Sequence, residues 1–265
     1  MESVMSSLKG QTAIVTGASS GIGQWCARVL AEQGADLVLV ARRLDRLEKL
    51  GAELTKSFGI RTQTLALDLS ETTAAQRLFD ATEGQGRTID ILVNNAGFGT
   101  QNPFADIGWE KTSEQLQLNV IALTELTWRF VRPMRERNRG YILNVASIGA
   151  FMPVPGYATY GAGKAYVRNF SEAVAHELRA TQVRVCCLCP GATATEFLQV
   201  SGQTVPGWQK MAFMSAERCA RIGIAAMLNG KRLVISGWDN AVGMWLLRFL
   251  PRRLITWIAA KFMEN

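Results

Sequence analysis

Thr12-Ala13-Ile14-Val15-Thr16-Gly17-Ala18-Ser19-Ser20-Gly21-Ile22-Gly23 decides how this chain is read. The first five residues form a short, mostly β-branched run, as expected of a strand buried on both faces. A glycine-rich turn follows directly, and after it a helical stretch from Gln24 to Gln33. Strand, glycine turn and helix together make a setting in which glycines let the backbone approach a phosphate. The helix N-terminus then offers its unpaired N–H groups to the anion. The spacing is G-x-x-x-G-x-G rather than the commoner G-x-G-x-x-G of dinucleotide sites, and such a turn also serves elsewhere as a plain connector.

Outward from this unit, apolar strands alternate with helical stretches, which argues for a parallel sheet covered by helices. The expected strands are Asp36–Ala41, Thr62–Leu67, Ile89–Val93, Gly140–Ala146, Val183–Cys189 and Arg232–Ile235. The intervening helices are expected near 44–58, 71–83, 112–137 and 158–180, with Pro133 bending or ending the third. The fold class is therefore α/β: a Rossmann-type, doubly wound parallel sheet of about seven strands in one domain spanning 1–265. Two segments stand outside the alternation. Residues 195–215 carry Phe197, Leu198, Val200, Val205, Trp208, Met211, Phe213 and Met214 among glycines and a proline. Residues 238–265 form an amphipathic extension split by Pro251-Arg252-Arg253.

Tyr160 and Lys164 lie four residues apart, and Tyr160 is the only tyrosine followed at that distance by a lysine. On a helix the two share a face. An ammonium so placed is expected to pull the phenol's pKa down from about 10 toward a useful acid/base range. Ser147 ends a strand, the position where open α/β sheets place their ligands.

In chain order, the glycine turn, Asp68, Asn94-Asn95-Ala96-Gly97, Asn119, Ser147, Tyr160, Lys164 and Pro190-Gly191 resemble the short-chain dehydrogenase/reductase superfamily, over about residues 8 to 235. Among its members the pattern is most similar to ketoacyl and hydroxysteroid reductases. The resemblance implies Tyr160 as proton donor to a carbonyl oxygen that Ser147 also holds. It implies Lys164 on the nicotinamide ribose, and Asn119 as a helix-bending residue whose backbone carbonyl holds a water in a proton relay. It further implies cofactor contacts from Gly17, Ser19, Ser20, Gly21, Ile22 and Gly23, from Asn94, Ala96 and Gly97, and from Pro190 and Gly191. Asp68 would accept from the adenine amino group, and Thr195 would sit near the carboxamide. Segment 195–215 would be a substrate lid.

Cofactor choice is read at the end of the second strand. Ala41 stands where an NAD site needs a carboxylate, and Arg42 follows with a guanidinium suited to a 2′-phosphate, so NADP(H) is expected. The apolar residues of the flanking loops favour a hydrophobic ketone or alcohol. The alternatives are a non-catalytic NADP-binding sensor or scaffold and a membrane-peripheral lipid or steroid ketoreductase.

The chain has 265 residues, 48% of them hydrophobic, and a net charge of +7. That charge is scattered and not interleaved with aromatics, which argues against nucleic acid. One histidine and no paired C-x-x-C argue against a metal site. Met1 to Lys9 has no apolar core, so a cytoplasmic location is expected. The extension is too short in each half to span a bilayer. It is read as packed on the protein or a partner subunit, with weak membrane-surface contact as the competing reading. A homodimer or homotetramer is expected, with the helices near 112–137 and 158–180 as the dimer contact.

Overall fold

In the computed structural model, residues 7–202 and 213–263 are described. The elements are β1 (Thr12–Thr16), α1 (Gly21–Glu32), β2 (Asp36–Ala41), α2 (Leu44–Phe58), β3 (Thr62–Ala66), α3 (Ala74–Asp80), β4 (Ile91–Asn94), α4 (Trp109–Leu116) and α5 (Leu123–Glu136). They continue with β5 (Gly140–Val145), α6 (Ala158–Glu177), β6 (Val183–Cys189), β7 (Thr193–Ala194), α7 (Phe197–Ser201), β8 (Met214–Ser215), α8 (Ala216–Leu228), β9 (Leu233–Ile235), α9 (Trp238–Leu246) and α10 (Arg252–Met263). Seven strands form one parallel sheet in the order β3-β2-β1-β4-β5-β6-β9. The order reverses between β1 and β4, and the crevice at such a switch point is where open α/β sheets bind ligands.

Strand alternation builds the two apolar layers. Ala13, Val15, Leu37 and Leu39 face one side and pack with Cys26 and Leu30 of α1, Leu47 of α2 and Ile224 of α8. Ile14, Val38 and Val40 face the other side and pack with Leu78 of α3 and Leu126 and Phe130 of α5. Cys186, Cys187 and Cys189 are buried and unbridged within β6, where they fill space as small hydrophobes.

Several boundaries differ from the sequence expectation. α1 begins at Gly21, three residues before the expected Gln24. β4 runs to Asn94 rather than Val93. The long helix starts at Trp109 and continues through Pro133 to Glu136. Pro133 removes only one donor, and its carbonyl still accepts from Arg137 N at 3.0 Å. The irregularity lies instead at Gln117–Ala122, a π turn holding Asn119. Inserted turns of this kind recur at functional sites.

β7 and β8 pair as a separate two-stranded parallel ladder, Thr193 with Met214 and Ala194 with Ser215. The 195–215 segment is thus tied at its base. Val205, Trp208 and Met211 of that segment lie outside the described residues, as do residues 1–6 of the N-terminal segment.

Candidate active site

The glycine turn is locked from below by two side chains. Thr16 Oγ1 donates to Val93 O at 3.1 Å and accepts from the backbone N–H groups of Asn95 and Ala96 at 2.9 and 3.0 Å. Asn95 Nδ2 donates to Thr16 O at 2.9 Å. This ties β1 to the loop after β4 across the switch point. Gly17 and Gly21 both take left-handed backbone, at φ +65° and +56°, which excludes most side chains. A Cβ on Gly23 would press into Gly17 O and Asn95 Nδ2, so α1 can lie against the turn only with glycine there. Ser20 caps α1 without a side-chain bond to its N–H groups, and the first turn carries no acidic residue. That helix end has the character of an anion site.

At the end of β2, the two arginines divide the surroundings. Arg42 is 63% exposed, with Asp68 Oδ2 at 3.6 Å and Glu114 Oε1 at 3.7 Å. Arg43 reaches into the turn: Nη2 donates to Ser19 Oγ at 3.0 Å and Ser20 Oγ at 3.1 Å, and Nη1 to Glu196 Oε2 at 2.9 Å. Glu196 also accepts from Arg46 at 2.6 Å. Arg46, and then Arg43, hold its carboxyl below the usual range. Asp68 accepts from Ser70 N and Oγ at 2.9 and 2.6 Å. Ser70 and Arg42 keep Asp68 ionised against its partial burial.

Lys164 is buried, 4% exposed, and its Nζ donates to Val145 O at 2.8 Å while standing 5.7 Å from the Tyr160 ring centre. Desolvation lowers its pKa to about 8. Tyr160 opens partly onto the cleft, but protein surrounds its hydroxyl. That desolvation pushes the phenol up to about 12, with hydrogen bonding to Ser147 acting in the opposite direction. The expected lowering of the Tyr160 pKa by Lys164 is therefore not found. The helix does place the two one turn apart, yet the ammonium is spent on Val145 O, and burial dominates both groups. Ser147 accepts from Gly149 N at 3.1 Å and starts a short 3-10 turn that carries the chain to α6.

Asn119 is fully buried and its amide is committed to the β4 loop. Nδ2 donates to Phe98 O at 2.7 Å, and Oδ1 accepts from Phe98 N at 3.1 Å. A Cβ on Gly97 would come within 2.8 Å of Asn119 Oδ1 and 3.5 Å of Lys164 Nζ.

Most of these groups line a cleft of about 860 Å³, although Gly23 and Asn119 are not among its lining residues. Gly17, Ser19, Ser20, Gly21, Ile22, Arg42, Asp68, Ala96 and Gly97 line its polar half. Ser147, Tyr160, Lys164, Pro190, Gly191 and Thr195 line its centre. Asn94 does not reach it. As the last residue of β4 it pairs in register with Asn144 and turns into the layer beneath the sheet. There Nδ2 donates to Asn144 Oδ1 at 2.9 Å and Thr127 Oγ1 at 3.1 Å. The neighbouring Asn95 takes the cleft position instead. Besides Asn95, the sequence reading missed Arg43 and Glu196 as site residues. It also missed Tyr157, a buried side chain whose hydroxyl donates to Ser201 Oγ at 2.9 Å. Spacing from Tyr160 was the available signal, since two tyrosines three apart at a helix start share a face. Tyr157, Tyr160 and Phe197 form an aromatic row with ring centres 5.8 and 5.2 Å apart.

The far half of the cleft is apolar. Met152, Val154, Leu198 and Val200 line it, together with Met244 and Leu247 after β9 and Ile258 of α10. One face of the C-terminal extension is thus packed on the protein as a wall of the cleft, with Ile255 and the cleft-lining Ala259 both buried.

Comparison with known proteins agrees with this geometry. The profile of the family described as short chain dehydrogenase matches residues 11–206. A very-long-chain 3-oxoacyl-CoA reductase of Phaeosphaeria nodorum is 31% identical over 257 residues, covering 92% of this chain and 73% of that protein. A 7β-hydroxysteroid dehydrogenase structure superposes with a TM-score of 0.87 at 25% identity, over 98% of this chain and all of that one. A short-chain dehydrogenase from Sphingobium yanoikuyae in complex with NADPH superposes with a TM-score of 0.80 at 29% identity, over 91% of this chain and 97% of the other.

Proposed function

Because this chain belongs to the short-chain dehydrogenase family, we propose that it moves a hydride between NADP(H) and the carbonyl or secondary alcohol of an apolar substrate, with Tyr160 as general acid and base. The observation that carries the reading is the convergence of Tyr160, Ser147 and Lys164 in one cleft, with an uncapped helix N-terminus and a glycine cradle at its other end.

The residues present fit a dinucleotide. Gly17, Gly21 and Gly97 keep the cradle open where a Cβ would meet Asn95, Thr195 or Asn119. The N–H groups of α1 suit its phosphates, and Asp68 suits its adenine. Ala41 offers no carboxylate to the adenosine ribose, and Arg42 and Arg43 supply guanidiniums for a 2′-phosphate, which supports NADP(H) over NAD(H). When bound, the nicotinamide supplies or accepts the hydride. In the direction of reduction, Tyr160 gives its proton to the substrate oxygen, and the Ser147 hydroxyl holds that oxygen beside it. Lys164, fixed by Val145 O, brings charge to the same point. The Asn119 amide is occupied by Phe98, so only its backbone carbonyl is left for the relay that the resemblance implies.

The test is a panel of ketones, steroids and acyl thioesters assayed with NADPH and NADH by loss of reduced-nicotinamide absorbance. Turnover of apolar carbonyls with NADPH supports the reading. Tight binding of NADPH with no turnover on any of them would make the chain a nucleotide-binding protein.

A further inference from the structure

The two helices that wall the cleft carry a second, outward face that the reaction does not use. On α9 and the turn after it, Trp238, Val242, Trp245 and Phe249 are exposed, with Trp238 at 79% and Phe249 at 69%. On α10, Leu254 and Trp257 are exposed in the same way, Trp257 at 56%. The positions follow helical spacing, so each helix has an inner stripe on the protein and an outer apolar stripe in water. Set among these side chains are Arg248, Arg252, Arg253 and Lys261, all exposed. Lys261 Nζ lies 4.5 Å over the Trp257 ring. Between Asp239 and Glu264 the sequence has no carboxylate.

We propose that this face docks the protein onto an anionic lipid surface. Exposed tryptophans beside arginines on short amphipathic helices suit the headgroup layer of a bilayer. Charge decides between lipid and a second copy of the chain. A two-fold contact through this face would set four cations against the same four, whereas an anionic surface attracts every one of them. Docking is peripheral: α9 has nine residues and α10 twelve, and no helix among the described residues is long and apolar enough to cross a membrane. The inner faces of these helices wall the apolar end of the cleft, so docking brings that end to the lipid. A substrate dissolved in lipid would then enter without crossing water. This last consequence rests on the oxidoreductase reading, while docking does not.

The test is flotation of the full chain with vesicles of phosphatidylcholine alone and of phosphatidylcholine with a minority of phosphatidylserine, at low and high salt. Binding to the second kind only, released by salt, is expected. Arg252→Gln with Arg253→Gln should weaken it about thirtyfold, from roughly fivefold per charge. Trp245→Ala with Phe249→Ala should weaken it as well. None of these four side chains lines the cleft, so melting curves and turnover of a water-soluble substrate verify folding. Arg248→Gln serves as the second charge variant should the pair fold poorly. Absence of binding to phosphatidylserine vesicles overturns the proposal, as does binding that neither pair alters. A dimer in sedimentation that Trp245→Ala with Phe249→Ala turns into a monomer, without vesicle binding, assigns the face to a second copy. Turnover reports separately on the oxidoreductase reading.

Discussion

Arg43→Ala and Glu196→Gln should move NADPH affinity in opposite directions. The Arg43 guanidinium is anchored to both serines of the glycine turn and to Glu196 at 2.9 Å. A charge-assisted hydrogen bond contributes about 1.5–3 kcal/mol, but this side chain is 40% exposed and its field is screened. The lower part of that range applies, so Arg43→Ala should weaken NADPH by roughly tenfold. NADH, which has no 2′-phosphate, should lose much less. Glu196 competes for the same guanidinium. Exposed ion pairs are worth about 0.2–1 kcal/mol, so Glu196→Gln should free Arg43 and tighten NADPH by up to about fivefold. Arg42 is more exposed and stands 3.6 and 3.7 Å from two carboxylates, so Arg42→Ala should cost less than Arg43→Ala. Fluorescence titration of both nucleotides against the three variants provides the readout. Equal loss of NADPH and NADH in Arg43→Ala would show that Arg43 only braces the turn. Weaker NADPH binding in Glu196→Gln would refute the competition.

Tyr160→Phe removes the proposed proton donor with little change in ring volume. Turnover should fall by about 10²–10⁴-fold while NADPH titrates as before, and unchanged turnover with chemistry rate-limiting would refute the assignment. The pH profile should follow Lys164. Tyr160, raised to about 12, stays protonated through the working range, whereas Lys164, lowered to about 8, loses its proton first. The rate of ketone reduction, measured as kcat/KM, should therefore hold below pH 8 and decline above it, and Lys164→Arg should move that limb to higher pH. Gly23→Ala forces a Cβ into Gly17 O. It should lower stability by about 1–3 kcal/mol and weaken both nucleotides, as read by melting temperature and titration.

The sheet was legible because its central strands, β1, β2, β4, β5 and β6, are buried on both faces and read as apolar runs, and because the glycine turn marks the first crossover. What stayed hidden depends on direction rather than position. Asn94 and Asn95 are chemically identical neighbours, and only the extra residue of β4 turns the first into the layer with Asn144 and the second toward Thr16. The polar Asn144 inside an apolar strand was the available signal. Arg42 and Arg43 are likewise adjacent, yet Arg43 is the one that meets Ser19 and Ser20. The Tyr160–Lys164 spacing gave the right distance, but spacing carries no information on burial. Desolvation therefore raised the phenol where the nearby ammonium was expected to lower it.

The two halves of the cleft are built from different material, and that difference bears on specificity. The polar half hangs from the carboxyl ends of β1, β2, β4 and β5. Left-handed glycines and the clamps of Thr16, Asn95 and Asn119 hold it, and each of these has backbone partners that a substitution would orphan. Much of the apolar half comes later in the chain, from α7, α9 and α10, which lie outside the main sheet. Its side chains touch the cleft through dispersion and exclusion of water, and such contacts tolerate hydrophobic exchange at about 1.5 kcal/mol or less. Changes at Leu198, Met244, Leu247 or Ile258 can thus reshape the substrate pocket without disturbing Tyr160, Ser147 or Lys164. The polar half thus bears on the proposed reaction, and the apolar half on the choice of substrate. For this chain the residues that bear on substrate choice are Met152, Val154, Leu198, Val200, Met244, Leu247 and Ile258.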